Sequence, residues 1–314
     1  MIRDGDHVKK VLVTGAAGML GTDLCASLKP VCQVVGADIR AAVAPPAVLN
    51  RIDLTEAGVT EEFFLRERPE VVFHAAAMTH VDGCEKDPAL AERLNVGMTQ
   101  NVVAAANRVG AFVVFFSSDY VFDGTGKTDY AEEDRPHPCN VYGQTKMAAE
   151  DFIRDNAVAY MILRISWLFG QNGPSFPRTI LEKAPTADQF EIVADQIGRP
   201  TYTKDLARAL ADLISNFDAK QPIIHQQIFH LANSGATSWA DFAEWILENS
   251  HGKRPPVRRI PTPEGHRPAV RPKYSVLSTK KAEARLGIRL RSWQDAVRDF
   301  IQIYESETKH VATK

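Results

Sequence analysis

Tyr142 and Lys146 are a phenol and an ammonium four residues apart. On a helix, positions i and i+4 share one face, so both side chains can project into one site. A free tyrosine titrates near pH ~10, too high to exchange protons readily at neutrality, and a neighbouring lysine cation favours the phenolate and lowers that value. The spacing therefore predicts a proton relay. Upstream, Ser117-Ser118-Asp119-Tyr120 follows the apolar run Phe112–Phe116. A hydroxyl at that strand end can donate to a carbonyl oxygen and steady the charge that develops there. Ser118, Tyr142 and Lys146 together make a set suited to carbonyl reduction, provided that a hydride carrier lies beside them.

The start of the chain supplies a place for such a carrier. Gly15-Ala16-Ala17-Gly18-Met19-Leu20-Gly21 spells GxxGxxG directly after Val11–Thr14. Glycines at this spacing allow a tight turn, close backbone approach to a diphosphate and tight helix packing, and the helix that follows offers its positive end to the phosphates. Asp38 closes the next apolar run about 20 residues on, where a carboxylate can hold ribose hydroxyls. Arg40 lies two positions further and can instead meet a 2′-phosphate. The two residues pull toward NAD and NADP respectively, and both NADH and NADPH stay open. Asp53-Leu54 follows the next short strand, where an acid can meet the adenine amino group or cap the helix beginning near Thr55.

These groups need a scaffold that brings strand ends together. Val11–Thr14, Gln33–Asp38, Val71–His74, Phe112–Phe116 and Met161–Leu163 are continuous apolar runs suited to strands buried on both faces. Helical segments separate them. One opens at Pro88 after the N-cap Asp87 and closes near Gly110. The alternation predicts an α/β fold, a Rossmann-type doubly wound parallel sheet whose ligands sit at the carboxyl ends of the strands. After Gly170 the pattern breaks at Gly173-Pro174, Pro177, Pro185, Gly198 and Pro200. A helix resumes near Lys204, Ile228–Leu231 reads as one more strand of the main sheet, and Asp241–Leu247 is amphipathic. The expected division is an NAD(P)-binding domain over residues 1–170 plus about 201–232, with a smaller C-terminal substrate-binding lobe from 171–200 and 233–314. The tail after Glu307 is polar and is expected to fray.

Composition narrows the class of function. The chain has 314 residues, 45% of them hydrophobic, and a formal net charge of −2, so a sizeable core is expected and no global basic field points to nucleic acid. No apolar run is long enough for a membrane span, and the polar start Met1–His7 lacks the apolar core of a secretory signal. Cys25, Cys32, Cys84 and Cys139 show no metal-ligand spacing and read as free thiols in a reducing, cytoplasmic setting. His74, His80 and His137 match no metal signature and are expected to be structural or surface residues. Glu132-Glu133-Asp134 reads as a solvated turn. Lys253, Arg254, Arg258, Arg259, Arg267 and Arg271 form a basic group from which one or two members could meet a diphosphate-bearing substrate.

From Val11 to about Phe300 the chain resembles the extended short-chain dehydrogenase/reductase superfamily, and within it the dTDP-4-dehydrorhamnose reductase family. The glycine loop and Tyr142-Gly143-Gln144-Thr145-Lys146 mark the superfamily. Ser118-Asp119-Tyr120-Val121-Phe122-Asp123-Gly124 and Asp195-Gln196-Ile197-Gly198-Arg199-Pro200-Thr201 mark the reductase branch, supported by Ala75–Asp82 with Cys84-Glu85 and by Arg164–Gly170. The resemblance implies Ser118, Tyr142 and Lys146 as the catalytic set, with serine where the family usually has threonine. It implies cofactor contacts from the loop residues, Asp53-Leu54 and Ala75-Ala76-Ala77, and places Thr79, Val81, Asp119, Tyr120 and Trp167 near the sugar or the nicotinamide. Sugar-nucleotide dehydratases usually carry Asp-Glu after the hydroxyl residue; Tyr120 in the glutamate position disfavours dehydration. Some family members are described as magnesium-assisted, but no acidic set accompanies Asp23 here and no metal ligands are assigned. The implied activity is reduction of the C4 ketone of a nucleotide-linked 4-keto-6-deoxysugar. The rival readings are a sugar-nucleotide epimerase and a binding subunit resembling the regulatory subunit of methionine adenosyltransferase. The helix from Pro88 and the helix bearing Tyr142 offer apolar faces either to a second copy, giving a homodimer, or to the chain's own core.

Overall fold

The computed structural model describes residues 9–40, 48–263, 265 and 267–312, so the segment Met1–His7 lies outside the described residues. Six strands, β1 (Lys10–Thr14), β2 (Gln33–Asp38), β3 (Val48–Arg51), β4 (Val71–His74), β5 (Phe112–Ser118) and β6 (Tyr160–Ile165), join the strand Gln227–His230 in one seven-stranded sheet. Every pairing in it is parallel, in the order Gln227–His230, β6, β5, β4, β1, β2, β3. The chain runs outward from β1 to β3, then returns to β4 on the other flank of β1. That reversal opens a crevice at the carboxyl ends of β1 and β4, the position where open α/β sheets bind ligands.

The apolar runs alternate between the two faces of the sheet, as strand geometry requires. Val11 and Val13 of β1, with Phe112, Val114 and Phe116 of β5, pack under helix α1 (Met19–Leu28) and the helix Thr203–Ser215. Leu12, Val113 and Phe115 face the other layer, built from α2 (Ala57–Glu67), the helix ending at Val109 and the long helix Val141–Asn156. A third, aromatic-rich core of Phe169, Tyr202, Phe242, Trp293 and Phe300 gathers residues from the second half of the chain.

Three elements differ from the sequence reading. The helix from Pro88, capped as expected by the Asp87 carboxylate on Leu90 N–H at 2.9 Å, is interrupted by a π-helical turn over Arg93–Gly97 before it resumes at Met98–Val109. The tail expected to fray continues the helix Trp293–Ala312, because Val297, Phe300 and Ile301 anchor its inner face in the aromatic core. Glu132, read as part of a solvated turn, is 8% exposed; its carboxylate accepts the His230 N–H at 2.9 Å. The four cysteines are free thiols. Among the described residues no helix is long and apolar enough to cross a membrane.

Candidate active site

The glycine loop follows β1 without interruption. Gly18 N–H donates to Gly15 C=O at 2.9 Å, closing the turn. A Cβ on Gly21 would lie 2.0 Å from that same carbonyl oxygen, and one on Gly15 would lie 2.8 Å from Ala76 N. The loop is thus packed against the Ala75–Ala77 strand exit, a contact that side chains at these positions would break. At the head of α1 the N-cap is Gly18, with neither a side-chain cap nor an acidic residue in the first turn. Amide groups at such a helix start suit an anion. These features fit a dinucleotide diphosphate. Met19 leaves the loop toward Gly170 and Gly173, and the Leu20 side chain is core.

Asp38 is placed beside the loop but is already engaged. One carboxylate oxygen accepts Ala17 N–H at 3.0 Å, and the other accepts the Arg40 backbone N–H at 2.9 Å and its Nε–H at 3.2 Å. The sequence reading has this carboxylate open toward ribose hydroxyls; here it braces the loop and aims Arg40. The Arg40 side chain is 62% exposed, with a guanidinium nitrogen 3.6 Å from where a Cβ on Gly18 would sit. Asp53 closes an Asx-type turn, accepting Thr55 N–H at 2.9 Å and its hydroxyl at 2.7 Å; the α2 N-cap is Glu56. The Leu54 side chain belongs to the core, while its carbonyl accepts from Thr60 and Asn101.

The helix Val141–Asn156 carries the phenol and the amine. Asn140 caps it, accepting Gly143 N–H at 2.9 Å, and the Glu85 carboxylate accepts Val141 N–H at 3.0 Å. Both acceptors satisfy amides that would otherwise lack partners. Gly143 lets the helix touch the segment after β5: a Cβ there would lie 2.0 Å from the Tyr120 carbonyl oxygen. That close approach brings Ser118, Tyr120 and Tyr142 together. The Ser118 hydroxyl donates to Asp119 at 3.0 Å and acts on the Tyr142 phenol, and the Tyr120 and Tyr142 rings meet edge-on with centroids 5.7 Å apart. Lys146, 2% exposed, sits one turn further on with Nζ 4.0 Å from the centroid of the Phe115 ring.

The electrostatics correct one expectation. Burial drives the Tyr142 phenol well above the ordinary tyrosine range, and the Ser118 hydrogen bond offsets this only in part. Asp119 and Cys84 raise the phenol further. Burial also pushes the Lys146 ammonium down to about 7, with Glu150 one turn along the helix working to keep it charged. The cation expected to acidify the phenol is itself partly discharged near neutrality, because burial strips it of solvent and the Phe115 ring beneath it replaces little of what water supplied. Glu150 is committed elsewhere, accepting from Arg164 Nε and Nη2 at 2.9 and 2.7 Å, with both side chains 1% exposed.

The remaining expected residues are spread around the same edge. Val81 begins a short helix (Val81–Lys86), and Thr79 is exposed just before it. Asp119 is buried, its two oxygens accepting the hydroxyls of Ser118 and Ser275 at 3.0 and 2.6 Å. Trp167 adopts a left-handed φ of 45° and stacks on Trp239 with centroids 3.5 Å apart, while the Gly198 backbone abuts its indole. Asp23 accepts Thr203 and Asn172 side chains, which ties α1 to the following lobe. Among the described residues no group of three or more His, Cys, Asp or Glu side chains could hold a metal. His74 is buried, bonded to Thr14 at 2.8 Å and Thr99 at 3.1 Å. In the basic group, Lys253, Arg258, Arg259 and Arg271 pair with Asp188, Glu191, Asp241 plus Glu244, and Asp82 respectively.

Several contributors escaped the sequence reading. Asn95, in the π-helical turn, accepts Met78 N–H at 2.7 Å and donates to Thr145 Oγ1 at 2.9 Å, holding the helix that carries Tyr142 against the strand exit at Met78. Local departures to π geometry often mark functional regions, but no spacing rule announces one. Ser275 and the Glu150–Arg164 pair are equally silent in sequence. Glu150 lies at i+4 from Lys146, a spacing that could have drawn attention to it.

The family model described as RmlD substrate binding domain matches residues 9–306. A spore coat polysaccharide biosynthesis protein, SpsK, of Bacillus subtilis is 37% identical, with 93% of this chain and 97% of that protein covered. A dTDP-4-dehydrorhamnose reductase of Burkholderia thailandensis is 35% identical over 92% of this chain and 96% of that one. Among solved structures, a dTDP-4-dehydrorhamnose reductase of Bacillus anthracis in complex with NADP superposes with a TM-score of 0.84 at 32% identity, covering 94% of this chain and 99% of that one.

Proposed function

The chain belongs to the RmlD substrate binding domain family, and on that premise we propose that it is an NAD(P)H-dependent reductase of the C4 ketone of a nucleotide-linked 4-keto-6-deoxysugar, converting dTDP-4-dehydrorhamnose to dTDP-rhamnose. The observation that carries this reading is the close approach of the Tyr142 helix to the segment that follows Ser118, where Gly143 abuts the Tyr120 carbonyl and the Tyr120 and Tyr142 rings meet edge-on, on the same edge as the glycine loop. The relatives that bear this activity in their names match almost the whole chain.

When bound, the pyridine nucleotide supplies the hydride. Gly15, Gly18 and Gly21 leave room for its diphosphate at the head of α1, and Ala75–Ala77 line the adjoining strand exit. The exposed Arg40 guanidinium, aimed by Asp38, favours a 2′-phosphate and hence NADPH over NADH. When the sugar binds, the Ser118 hydroxyl, which otherwise donates to Asp119, turns to the ketone oxygen and polarises it. Tyr142, held protonated by burial, gives its proton to the forming alkoxide as general acid. Lys146 contributes charge and position beside that phenol. Thr79, Val81, Asp119, Tyr120 and Trp167 form the side of the site assigned to the sugar. We assign residues 1–170 plus about 201–232 to an NAD(P)-binding domain and 171–200 and 233–314 to a substrate lobe; the aromatic core joins Phe169 and Tyr202 of the first to Phe242, Trp293 and Phe300 of the second.

The test is direct. Purified protein mixed with NADPH and dTDP-4-dehydrorhamnose should consume one cofactor per sugar, read as loss of nicotinamide absorbance. Binding of NADPH without consumption would overturn the reading in favour of a binding subunit. Sugar interconversion without net cofactor oxidation would mark an epimerase.

A further inference from the structure

The corner where β2 ends holds a second guanidinium to which the cofactor reading above gives no role. Strands β2 and β3 run parallel with Asp38 opposite Arg51, and Ile52 N–H donates to the Asp38 carbonyl at 2.9 Å, so the two strands finish level. Side chains two residues apart on a strand share a face of the sheet. Val34 of β2 and Leu49 of β3 both pack in the layer that contains α1. Asp38 and Arg51, an even number of residues further along each strand, therefore leave the sheet on the face of the glycine loop. Asp38 shows this direction by accepting Ala17 N–H at 3.0 Å. Arg51 then reaches across the corner, its Nε–H donating to the Ile39 carbonyl at 3.2 Å.

Charge at this corner is unbalanced. The Asp38 side chain is 5% exposed, and both of its oxygens are taken, one by Ala17 N–H and the other by Arg40. Exposed arginines elsewhere take a neighbouring carboxylate: Arg66 pairs with Glu67, and Arg154 with Asp151. Arg51 is exposed, and among the described residues its two terminal nitrogens meet no acceptor. Two guanidiniums and one committed carboxylate leave net positive charge on either side of Ile39. A phosphate monoester carries nearly two negative charges near neutrality on three acceptor oxygens, and guanidinium forks match such groups two bonds at a time. A bare ribose hydroxyl would find no open carboxylate oxygen here.

We propose that Arg51 is the second arm of a two-arginine clamp for the 2′-phosphate of NADPH, approaching from β3 while Arg40 approaches from the side of the glycine loop. Cofactor choice is then set at the exits of two strands and not at one residue. The proposal deepens the cofactor assignment made above and rests on it. The bond from Nε to the Ile39 carbonyl anchors the Arg51 side chain and leaves its two terminal nitrogens for the phosphate.

Calorimetric titration of the full chain with 2′,5′-ADP and with 5′-AMP reads the clamp without turnover, because the two fragments differ only in the 2′-phosphate. Wild type should prefer 2′,5′-ADP. Arg51→Ala should lower that preference about tenfold, the size of one lost charge-assisted contact. Both fragments bind the same folded population, so the ratio of affinities is insensitive to a loss of stability. Arg51→Gln keeps a donor for the Ile39 carbonyl but no charge, and should lower the preference as far; a preference that survives in Arg51→Gln would make Arg51 a brace for the corner and overturn the clamp. Combination with Arg40→Ala separates direct contact from action through Arg40. Removing Arg51 in that background should lower the preference by at least about threefold more, and no further drop overturns the proposal. Wild type that binds both fragments equally would sink the 2′-phosphate assignment as a whole, Arg40 included, whereas a wild-type preference that Arg51→Ala leaves intact sinks the Arg51 arm alone.

Discussion

The Glu150–Arg164 pair offers a severe test of how this fold supports its site. Both side chains are 1% exposed, and the pair is bidentate at 2.9 and 2.7 Å. Arg164 also lies 5.1 Å from the Phe122 ring centroid and within 3.5 Å of His230 Nε2. Glu150→Gln removes the carboxylate and leaves a guanidinium in the interior without its counter-charge. Breaking a buried pair this way costs about 3–5 kcal/mol, which for a chain of this size lowers the melting temperature by on the order of 5–8 °C. Replacing both partners, as in Glu150→Gln with Arg164→Met, removes the stranded charge, so the double variant should be more stable than the sum of the two single losses by roughly 2 kcal/mol. Urea unfolding of the four proteins measures this directly. The same substitution carries a functional readout, because Glu150 supports the charge of Lys146 one turn away. Without it, Lys146 should lose its proton at lower pH, and the alkaline limb of turnover should move below its wild-type position near 7. Single-variant losses below about 1 kcal/mol, strict additivity, or an unshifted pH profile would refute the reasoning.

Other consequences follow from the same geometry. Tyr142→Phe should abolish turnover by a factor of about 100 or more while NADPH affinity, measured by fluorescence titration, stays within a few-fold, since the ring still packs edge-on against Tyr120. Arg40→Ala should raise the KM for NADPH about tenfold, the size of one lost charge-assisted contact of roughly 1.4 kcal/mol, and leave NADH kinetics unchanged; equal losses with both cofactors would remove the 2′-phosphate assignment. His74 is held down to about 3 by burial first and by Lys146 second. Its neutral form is the folded one, so it contributes stability above pH ~6.5 that is lost as pH falls toward 3, by up to ~1.4 kcal/mol per pH unit. Asp119, raised to about 7, acts in the opposite sense over much of that window. The His74 contribution is therefore read as the difference in unfolding free energy between wild type and His74→Gln, which should widen as the pH rises.

Much of the frame can be read from periodicity alone. Strands β1, β2, β4, β5 and β6 all fall on apolar runs, because a strand buried on both faces must be apolar throughout. The glycine loop was visible for a similar reason: Gly21 cannot bear a Cβ 2.0 Å from a carbonyl oxygen, and such close approaches force the residue type. Charges are harder. Asp38 and Arg40 looked like rivals for one ribose, yet they are partners, with the carboxylate bracing the loop and aiming the guanidinium. Spacing on a helix says that Tyr142 and Lys146 share a face, not what else buries them, and burial is what raises the phenol. Nor does spacing reveal that Glu132 lies beneath His230, 98 positions away in sequence.

The longest-range links gather on one stretch of chain. Segment 269–275, of which the sequence singles out only Arg271 as one of a basic group, reaches the site at four points. Ala269 N–H and Arg271 engage Asp82 at 3.3 and 3.0 Å, Val270 C=O accepts from Asn140 Nδ2 at 2.8 Å, and Ser275 reaches Asp119 at 2.6 Å. Asp82 lies in the first turn of one short helix, Asn140 caps the helix bearing Tyr142, and Asp119 follows Ser118. A segment distant in sequence thus clamps three pieces that border the site. Alignment of the phenol, the hydroxyl and the carboxyl is accordingly set by tertiary contacts from the far end of the chain, which is why the residues that act could be named from local motifs while the residues that hold them in register could not.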